Sequence, residues 1–188
     1  MNRENQIKLL KKYLKGKRIE HSLNTEKTAV KLAKIHKADI KKAATAGLMH
    51  DIAKYISNEE KQALIKKYKI KPNKIEALSP DLLHGKFGAL ILKENGIKSK
   101  KVLAAVKNHT MGAKNMSDLE KIIFLADLIE PNRKFKGIKK IRFYAKRDLD
   151  VALMESMKLL LSNLLLNDRP IHPNTLKAYN SFLFKNIY

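Results

Sequence analysis

The chain contains no cysteine among its 188 residues. This absence excludes disulfides, zinc ribbons, iron–sulfur clusters and cysteine nucleophiles, and it fits a reducing compartment. Long apolar runs are missing too, because the longest one, residues 159–166, is short and is interrupted by Ser162 and Asn163. The polar residues 1–5 do not have the pattern of a signal peptide. Together these absences predict a cytoplasmic protein that does not cross a membrane.

Acidic residues are scarce, with 18 Asp and Glu against 40 Lys and Arg, which gives a net charge of +22. Such a charge attracts polyanions in general. Lysine supplies 34 of the cations and is scattered along the chain, whereas arginine supplies 6. This pattern favours a lysine-rich surface over a dedicated polyanion groove. Because arginine is suited to bidentate phosphate recognition, each of the few arginines is more informative than any one lysine.

The pattern of apolar residues predicts helices almost throughout, with no sustained two-residue alternation typical of strands. We find no internal repeat, low-complexity linker or shift of composition that would divide the chain. The sequence therefore predicts one all-α domain over residues 1–188. The expected helices lie at about residues 3–14, 20–36, 39–50, 80–96, 99–109, 118–130, 138–146, 148–166 and 174–184. A further helix begins at residue 57, and a short helical turn begins at residue 73 after the break at Pro72.

One polar pair, His50–Asp51, stands inside the otherwise apolar stretch of residues 47–54. A second carboxylate, Asp127, lies within the apolar residues 122–129. Burying an ionised carboxylate is costly unless a metal or a hydrogen-bond network compensates. Neutral imidazole and carboxylate are also the usual ligands of divalent catalytic metals.

Of the remaining histidines, three lie near the ends of predicted apolar helices: His21, His84 and His109. A single histidine is more often a hydrogen-bonded core residue, and we interpret His36 in that way. The chain has no G-x-S-x-G motif and no glycine-rich phosphate loop. A metal is therefore the remaining route to a nucleophile at neutral pH.

Several segments then resemble one family. They are Arg18-Ile19-Glu20-His21-Ser22, Gly47-Leu48-Met49-His50-Asp51-Ile52-Ala53-Lys54, Leu83-His84-Gly85, Asn108-His109-Thr110 and Leu125-Ala126-Asp127-Leu128-Ile129-Glu130-Pro131-Asn132-Arg133. The chain resembles the HD-domain metal-dependent phosphohydrolases, and within them the YqeK-type symmetrical diadenosine tetraphosphate hydrolases. The resemblance covers nearly the whole length, and the Glu130–Arg133 segment is its most specific part. One departure is Gly85, where alanine is expected.

The resemblance implies an all-α HD-domain bundle that binds metal through His21, His50, Asp51 and Asp127. It implies iron as one or two ions, with manganese or cobalt as substitutes. His84 and His109 resemble the extra histidines of two-metal members, so they either complete a second metal site or donate to the scissile phosphates. Asp51 is the candidate to bridge two ions. The implied reaction is hydrolysis of diadenosine tetraphosphate to two ADP, and His84 or His109 is the candidate general acid.

Three cations lie close in sequence to the expected ligands. Lys54 follows His50 by four residues, which would put both on one helix face. Arg18 precedes His21, and Arg133 follows the helix of Asp127; a guanidinium fork can hold two phosphate oxygens. The turn at residues 171–175 is expected to face the nucleoside, with surface packing as the alternative. The residues expected to contact substrate are Arg18, His21, Lys54, His84, His109, Thr110, Asp127, Arg133, Ile171, His172, Pro173 and Thr175.

Two other functions fit the same residues. The His–Asp frame is shared with HD-domain phosphohydrolases that act on other nucleotides, and the frame alone does not separate them. A non-catalytic RNA-binding or ribosome-associated module would use the net charge of +22 instead. Oligomeric state has no signature in the sequence.

Overall fold

The computed structural model describes residues 1–185, with side chains described to residue 183. It confirms the predicted all-α class, because the described residues form eleven α-helices and no strand. The helices are α1 (Arg3–Tyr13), α2 (Lys17–Ile35), α3 (Ile40–Met49), α4 (Asn58–Lys67), α5 (Lys74–Leu78), α6 (His84–Glu94), α7 (Lys100–Asn108), α8 (Asp118–Ile129), α9 (Ile138–Ala145), α10 (Leu149–Leu166) and α11 (Pro173–Lys185).

Polar side chains begin most of these helices where the sequence predicts them. The first turn of a helix leaves backbone N–H groups without intrahelical partners, and a capping side chain accepts from them. Asp39 caps α3 and Ser99 caps α7 in this way. Full capping boxes, in which the side chain three residues on also bonds back, begin three helices: Ser57 with Glu60, Asn73 with Glu76, and Ser117 with Glu120.

Three predicted boundaries are wrong. Helix α2 begins at Lys17 and not near residue 20, so His21 lies inside it. The helix expected from Pro80 to residue 96 is a 3₁₀ turn, Pro80–Leu83, followed by α6 from His84. The expected continuation of α3 through His50 also fails, because α3 ends at Met49 and residues 50–55 form turns. These turns use short-range bonds, such as Lys54 N–H to the carbonyl of Asp51 at 2.8 Å.

The core is formed by α2, α3, α6, α7 and α8. In α8 the apolar residues 122–126 are all buried, and α2 and α3 pack closely at Gly47. A Cβ added to Gly47 would lie 3.0 Å from the Cβ of Ala29, so a larger residue would force these helices apart. A second apolar cluster joins α8 to α10 and α11 through Phe124, Leu153 and Phe182.

None of the helices in the described part of the chain is long and apolar enough to cross a membrane.

Gly85 allows α6 to pack directly against the end of α7. An added Cβ would lie 2.7 Å from the carbonyl oxygen of Lys107, 3.0 Å from that of Val106 and 3.3 Å from Nδ1 of His109. We expect Gly85→Ala to lower the free energy of unfolding by about 1–3 kcal/mol through overpacking. Urea denaturation measures this change.

The matched control is Gly88→Ala on the same helix. Its added Cβ would lie 3.3 Å from methyl groups of Ile52 and Val106, which are side-chain atoms that can shift. The higher helix propensity of alanine, about 1 kcal/mol, offsets this tighter contact, so we expect little net change. An equal decrease in the free energy of unfolding for the two variants would contradict the close approach at Gly85.

Candidate metal centre

Four histidines and two aspartates from five segments of the chain meet inside the bundle. His21 lies within α2, His50 follows α3, His84 begins α6 and His109 follows α7. All four imidazoles are buried, with at most 8% of each residue exposed. Asp51 is buried beside them. Asp127 from α8 completes the cluster and reaches the edge of a cavity. The structure thus brings together every residue that the sequence suggested as a metal ligand.

Local backbone fixes the orientation of three of these imidazoles. His50 Nδ1 lies 2.8 Å from the carbonyl oxygen of Gly47, and His109 Nδ1 lies 2.7 Å from that of Val106. His84 Nδ1 makes the same contact with the carbonyl of Asp81. In each case the carbonyl belongs to the residue three positions earlier. For His50 and His109 it lies in the last turn of α3 or α7, where carbonyls lack intrahelical partners, and for His84 it lies in the 3₁₀ turn before α6. Because Nδ1 donates its proton there, Nε2 presents a lone pair to the cluster.

The Nε2 atoms face one another in two pairs. His21 and His50 approach to 3.2 Å between their Nε2 atoms, and His84 and His109 approach to 3.0 Å. Asp51 lies between the pairs. Its Oδ1 is 3.1 Å from His84 Nε2 and 3.5 Å from His109 Nε2. Its Oδ2 is 3.5 Å from His50 Nε2 and 3.8 Å from His21 Nε2.

Asp127 adds a second carboxylate to the first pair. Its Oδ1 lies 3.0 Å from Nε2 of His21 and 3.8 Å from Nε2 of His50. Burial raises the pKa of Asp127, but a hydrogen bond from His21 and the charge on His50 outweigh it and hold the pKa well below its usual range. Asp127 therefore presents an ionised carboxylate to the cluster.

Opposed effects also act on Asp51. Burial raises the pKa of Asp51, while the charge on His50 and hydrogen bonds from His109, His50 and His84 lower it much further, so the carboxylate is ionised. Burial lowers the pKa of His84, which favours its neutral form. Burial also acts to lower the pKa of His109, but its hydrogen bond to Asp51 and the charges of Asp51 and Asp127 outweigh burial and raise that pKa, so a metal would have to displace a proton there. Ionised carboxylates and neutral imidazoles are the protonation states that bind a divalent metal.

The donor set fits such an ion. Two groups of three residues offer ligand atoms that all lie within 4.8 Å of one another: His21 with His50 and Asp127, and His50 with Asp51 and His109. Two neutral imidazoles whose Nε2 lone pairs face each other repel unless a proton or a cation lies between them. Imidazole nitrogens and carboxylate oxygens held by outer hydrogen bonds are the arrangement found around catalytic metals.

Two arginines contact the carboxylates of the cluster. Arg18 Nη1 donates to Oδ2 of Asp51 at 2.7 Å, and Arg133 Nη2 donates to Oδ1 of Asp127 at 2.8 Å. Both arginines also line the cavity. The sequence thus correctly predicted that they lie near the ligands.

Lys54 also lines the cavity, although the reason given by the sequence is wrong. It does not share a helix face with His50, because α3 ends before both residues. The turns at residues 50–55 bring it to the cavity instead. Thr110 lies closer to the centre, with Oγ1 at 3.2 Å from Nε2 of both His84 and His109.

The cavity has a volume of about 580 Å³ and two chemically different parts. One part is the polar cluster with its cations. The other is an apolar arm between α8, α10 and the loop before α9. Sequence reasoning missed this arm, although the leucines of residues 159–166 were a signal for it. The residues that line the arm are Phe124, Leu128, Phe135, Lys136, Ser156, Leu159, Leu160 and Asn163.

The turn at residues 171–175 is not among the residues that line the cavity. His172 is buried, with Nε2 at 3.0 Å from Nδ2 of Asn73. Thr175 Oγ1 donates to the carbonyl of Met111 at 3.1 Å, directly behind Thr110. The prediction that Ile171, His172, Pro173 and Thr175 face the nucleoside stays a prediction. His36, interpreted from the sequence as structural, contacts the carbonyl of Ala145 outside the cluster.

A helical bundle with histidines and aspartates converging in its interior is the arrangement of a metal-dependent hydrolase. Residues 18–132 match the family model described as HD domain. These residues run from Arg18 to the loop after α8, so they contain the whole cluster.

Relatives match over nearly the whole length. The symmetrical bis(5'-nucleosyl)-tetraphosphatase of Halalkalibacterium halodurans is 42% identical over 98% of this chain and 99% of its own. The protein of the same name from Bacillus subtilis is 37% identical over 96% and 97%. A crystal structure from Clostridium acetobutylicum, described as a predicted HD superfamily hydrolase involved in NAD metabolism, is 36% identical, covers 98% of both chains and has a TM-score of 0.94. The chain therefore belongs to the HD-domain family, in the branch of the symmetrical bis(5'-nucleosyl)-tetraphosphatases.

Proposed function

We propose that this chain is a metal-dependent hydrolase that converts diadenosine tetraphosphate to two ADP. The names of the full-length relatives support this substrate and this symmetrical cut. The observation that carries the proposal is the position of Asp51 between two pairs of facing imidazoles, whose nitrogens a metal ion could bind together with the Asp51 carboxylate. Hydrolysis of a phosphoanhydride places developing charge on oxygens that cations stabilise.

Two ion positions would correspond to the two imidazole pairs and the carboxylates beside them. His21, His50 and Asp127 would hold one ion, and His84 with His109 would hold the other. Asp51 would serve both, since its two oxygens face different pairs. We propose iron as the ion, with manganese or cobalt as substitutes. A divalent metal in such a site acidifies a bound water and so supplies the nucleophile for hydrolysis at neutral pH.

The chain's own cations would hold the polyphosphate. Arg18 donates to Asp51 through Nη1 and to Tyr55 through Nη2. Arg133 donates to Asp127 through Nη2 and Nε. The remaining N–H groups of each guanidinium would bind phosphate oxygens. Lys54 adds a point charge at the same end of the cavity. The Thr110 hydroxyl, between His84 and His109, can donate to a phosphate oxygen. These four residues would orient the tetraphosphate against the ligand cluster.

The apolar arm would receive one nucleoside. Phe124, Leu128 and Leu160 give it apolar walls, and Asn163 adds an amide to its lining. A nucleobase with flat faces and polar edges suits such a surface. We keep residues 171–175 as a further nucleoside contact. His84 and His109 remain the candidates for protonating the leaving ADP if one ion alone is bound.

We also propose that residues 1–188 form one domain. Helix α8 supports this, because Leu125 belongs to the main core while its neighbour Phe124 belongs to the cluster with α10 and α11. A cytoplasmic location, and RNA binding as the weaker alternative, stay predictions. Replacing both His50 and Asp51 by alanine distinguishes RNA binding from hydrolysis, since charge-driven RNA binding would survive that change.

The substrate is tested with a panel of nucleotides. Purified protein supplied with Mn²⁺ is incubated with diadenosine tetraphosphate, ATP, a guanosine polyphosphate and a cyclic dinucleotide, and products are separated by chromatography. We expect diadenosine tetraphosphate to be hydrolysed at least about tenfold faster than the others, with ADP as its product. Equal rates on ATP, or ATP and AMP as products, would contradict the proposal.

A further inference from the structure

His21 differs from the other three histidines in how its imidazole is held. His50, His84 and His109 lie at helix ends and each bonds a carbonyl three residues earlier. His21 lies inside α2, where the carbonyls accept the hydrogen bonds of the helix itself. Its Nδ1 therefore needs a partner from elsewhere in the fold.

Glu130 is that partner. Its side chain is 3% exposed, and Oε1 lies 3.3 Å from Nδ1 of His21. Glu130 directly follows α8 as its C-cap residue and lies 109 positions after His21 in the sequence. Of the four imidazoles in the cluster, His21 is the one whose Nδ1 contacts a carboxylate and not a carbonyl.

Further contacts hold this carboxylate and the backbone around it, and Nε of Arg133 lies 3.8 Å from the same Oε1. The other carboxylate oxygen, Oε2, accepts the backbone N–H of Asn132 at 2.8 Å. From outside, Arg142 donates to the carbonyls of Ile129, Glu130 and Arg133 at 3.0, 2.8 and 3.2 Å. These hydrogen bonds fix both the backbone after α8 and the Glu130 side chain. The carboxylate is therefore already positioned to accept from His21.

We propose that Glu130 is a positioning residue that makes His21 a metal ligand. By accepting a hydrogen bond from the Nδ1–H group, Glu130 orients the ring so that the Nε2 lone pair faces the cluster. The negative charge of the carboxylate raises the basicity of that lone pair. Glu130 itself does not reach the reacting atoms. This inference rests on the proposed metal-dependent function and adds a residue that neither the sequence nor the relatives assign.

The test is the affinity of metal-free protein for Mn²⁺, measured by isothermal titration calorimetry. The variant Glu130→Gln keeps the shape but has a single side-chain oxygen. Its NH₂ group must then face either the N–H of His21 or that of Asn132. We expect the dissociation constant to rise about 10- to 100-fold, as is usual when an outer-shell partner is changed. A value within twofold of the wild type would overturn the proposal.

The control is Glu26→Gln, which removes the same charge from α2. Glu26 pairs with Arg3 away from the cluster, so we expect wild-type affinity. If wild-type protein does not bind Mn²⁺, the proposed function fails. If wild-type protein binds it and Glu130→Gln binds it equally well, the role of Glu130 alone fails.

A second measurement does not depend on the folding of any variant. In metal-free wild-type protein, ¹⁵N NMR of the imidazoles reports which ring nitrogen carries a proton. We expect Nδ1 of His21 to be protonated, because Glu130 accepts from it. An unprotonated Nδ1 at His21 would overturn the proposal.

Discussion

Replacing Asp51 by asparagine is expected to lower the rate of diadenosine tetraphosphate hydrolysis about a thousandfold, equivalent to about 4 kcal/mol of transition-state stabilisation. Asp51 is the side chain shared by both imidazole pairs, with Oδ1 facing His84 and His109 and Oδ2 facing His21 and His50. Asparagine keeps the shape but has one acceptor oxygen and no charge. The variant therefore loses a ligand for each ion and the partner of Arg18.

Steady-state kinetics with saturating Mn²⁺ measures this loss, and circular dichroism shows whether the helices remain. The matched control is Asp168→Asn, which removes the same charge at an exposed position. Asp168 has a φ of +50°, a conformation that asparagine adopts readily, so its activity should equal that of wild type. An Asp51→Asn variant within tenfold of wild type would contradict the central position of this carboxylate.

His84→Gln is expected to reduce hydrolysis about a hundredfold, or about 2.7 kcal/mol, while the protein still binds one ion. His84 belongs to the second imidazole pair, whose Nε2 atoms face Oδ1 of Asp51. The group of His21, His50 and Asp127 does not include His84 and keeps its ligands. The number of Mn²⁺ ions bound per chain should therefore fall from two to one.

Elemental analysis after gel filtration gives that number. The control is His36→Gln, because His36 contacts the carbonyl of Ala145 away from the cluster and should keep both ions. An unchanged number of ions in His84→Gln would show that His84 acts on phosphate and not on metal. A complete loss of both ions would contradict two separate groups of ligands.

Most helix starts and part of the candidate site were predictable from local chemistry, whereas the full set of expected ligands came from the family resemblance. Capping side chains such as Ser57 and Ser117 mark where helices begin, and the structure confirms them. His50, Asp51 and Asp127 stand out as polar residues in apolar stretches of the sequence, where burial without a partner is costly. Each of these residues can be recognised from the sequence around it, without knowledge of its neighbours in space.

Contacts between distant parts of the chain were not predictable in this way. Glu130 and His21 are 109 positions apart, and neither segment indicates the other. The apolar arm likewise needs the packing of α10 beside α8, which periodicity does not define. Lys54 reaches the cavity through a set of turns where a continuous helix was predicted, because α3 ends at Met49. The missing information is tertiary in each case.

The most direct test of the metal centre is anomalous X-ray scattering from crystals of metal-free protein soaked in Mn²⁺. We predict a peak within bonding distance of Nε2 of His21 and His50 and of the carboxylates of Asp51 and Asp127. A second peak is expected beside Nε2 of His84 and His109. Soaked crystals that show no peak within this cluster, or peaks at surface carboxylates alone, would contradict the account.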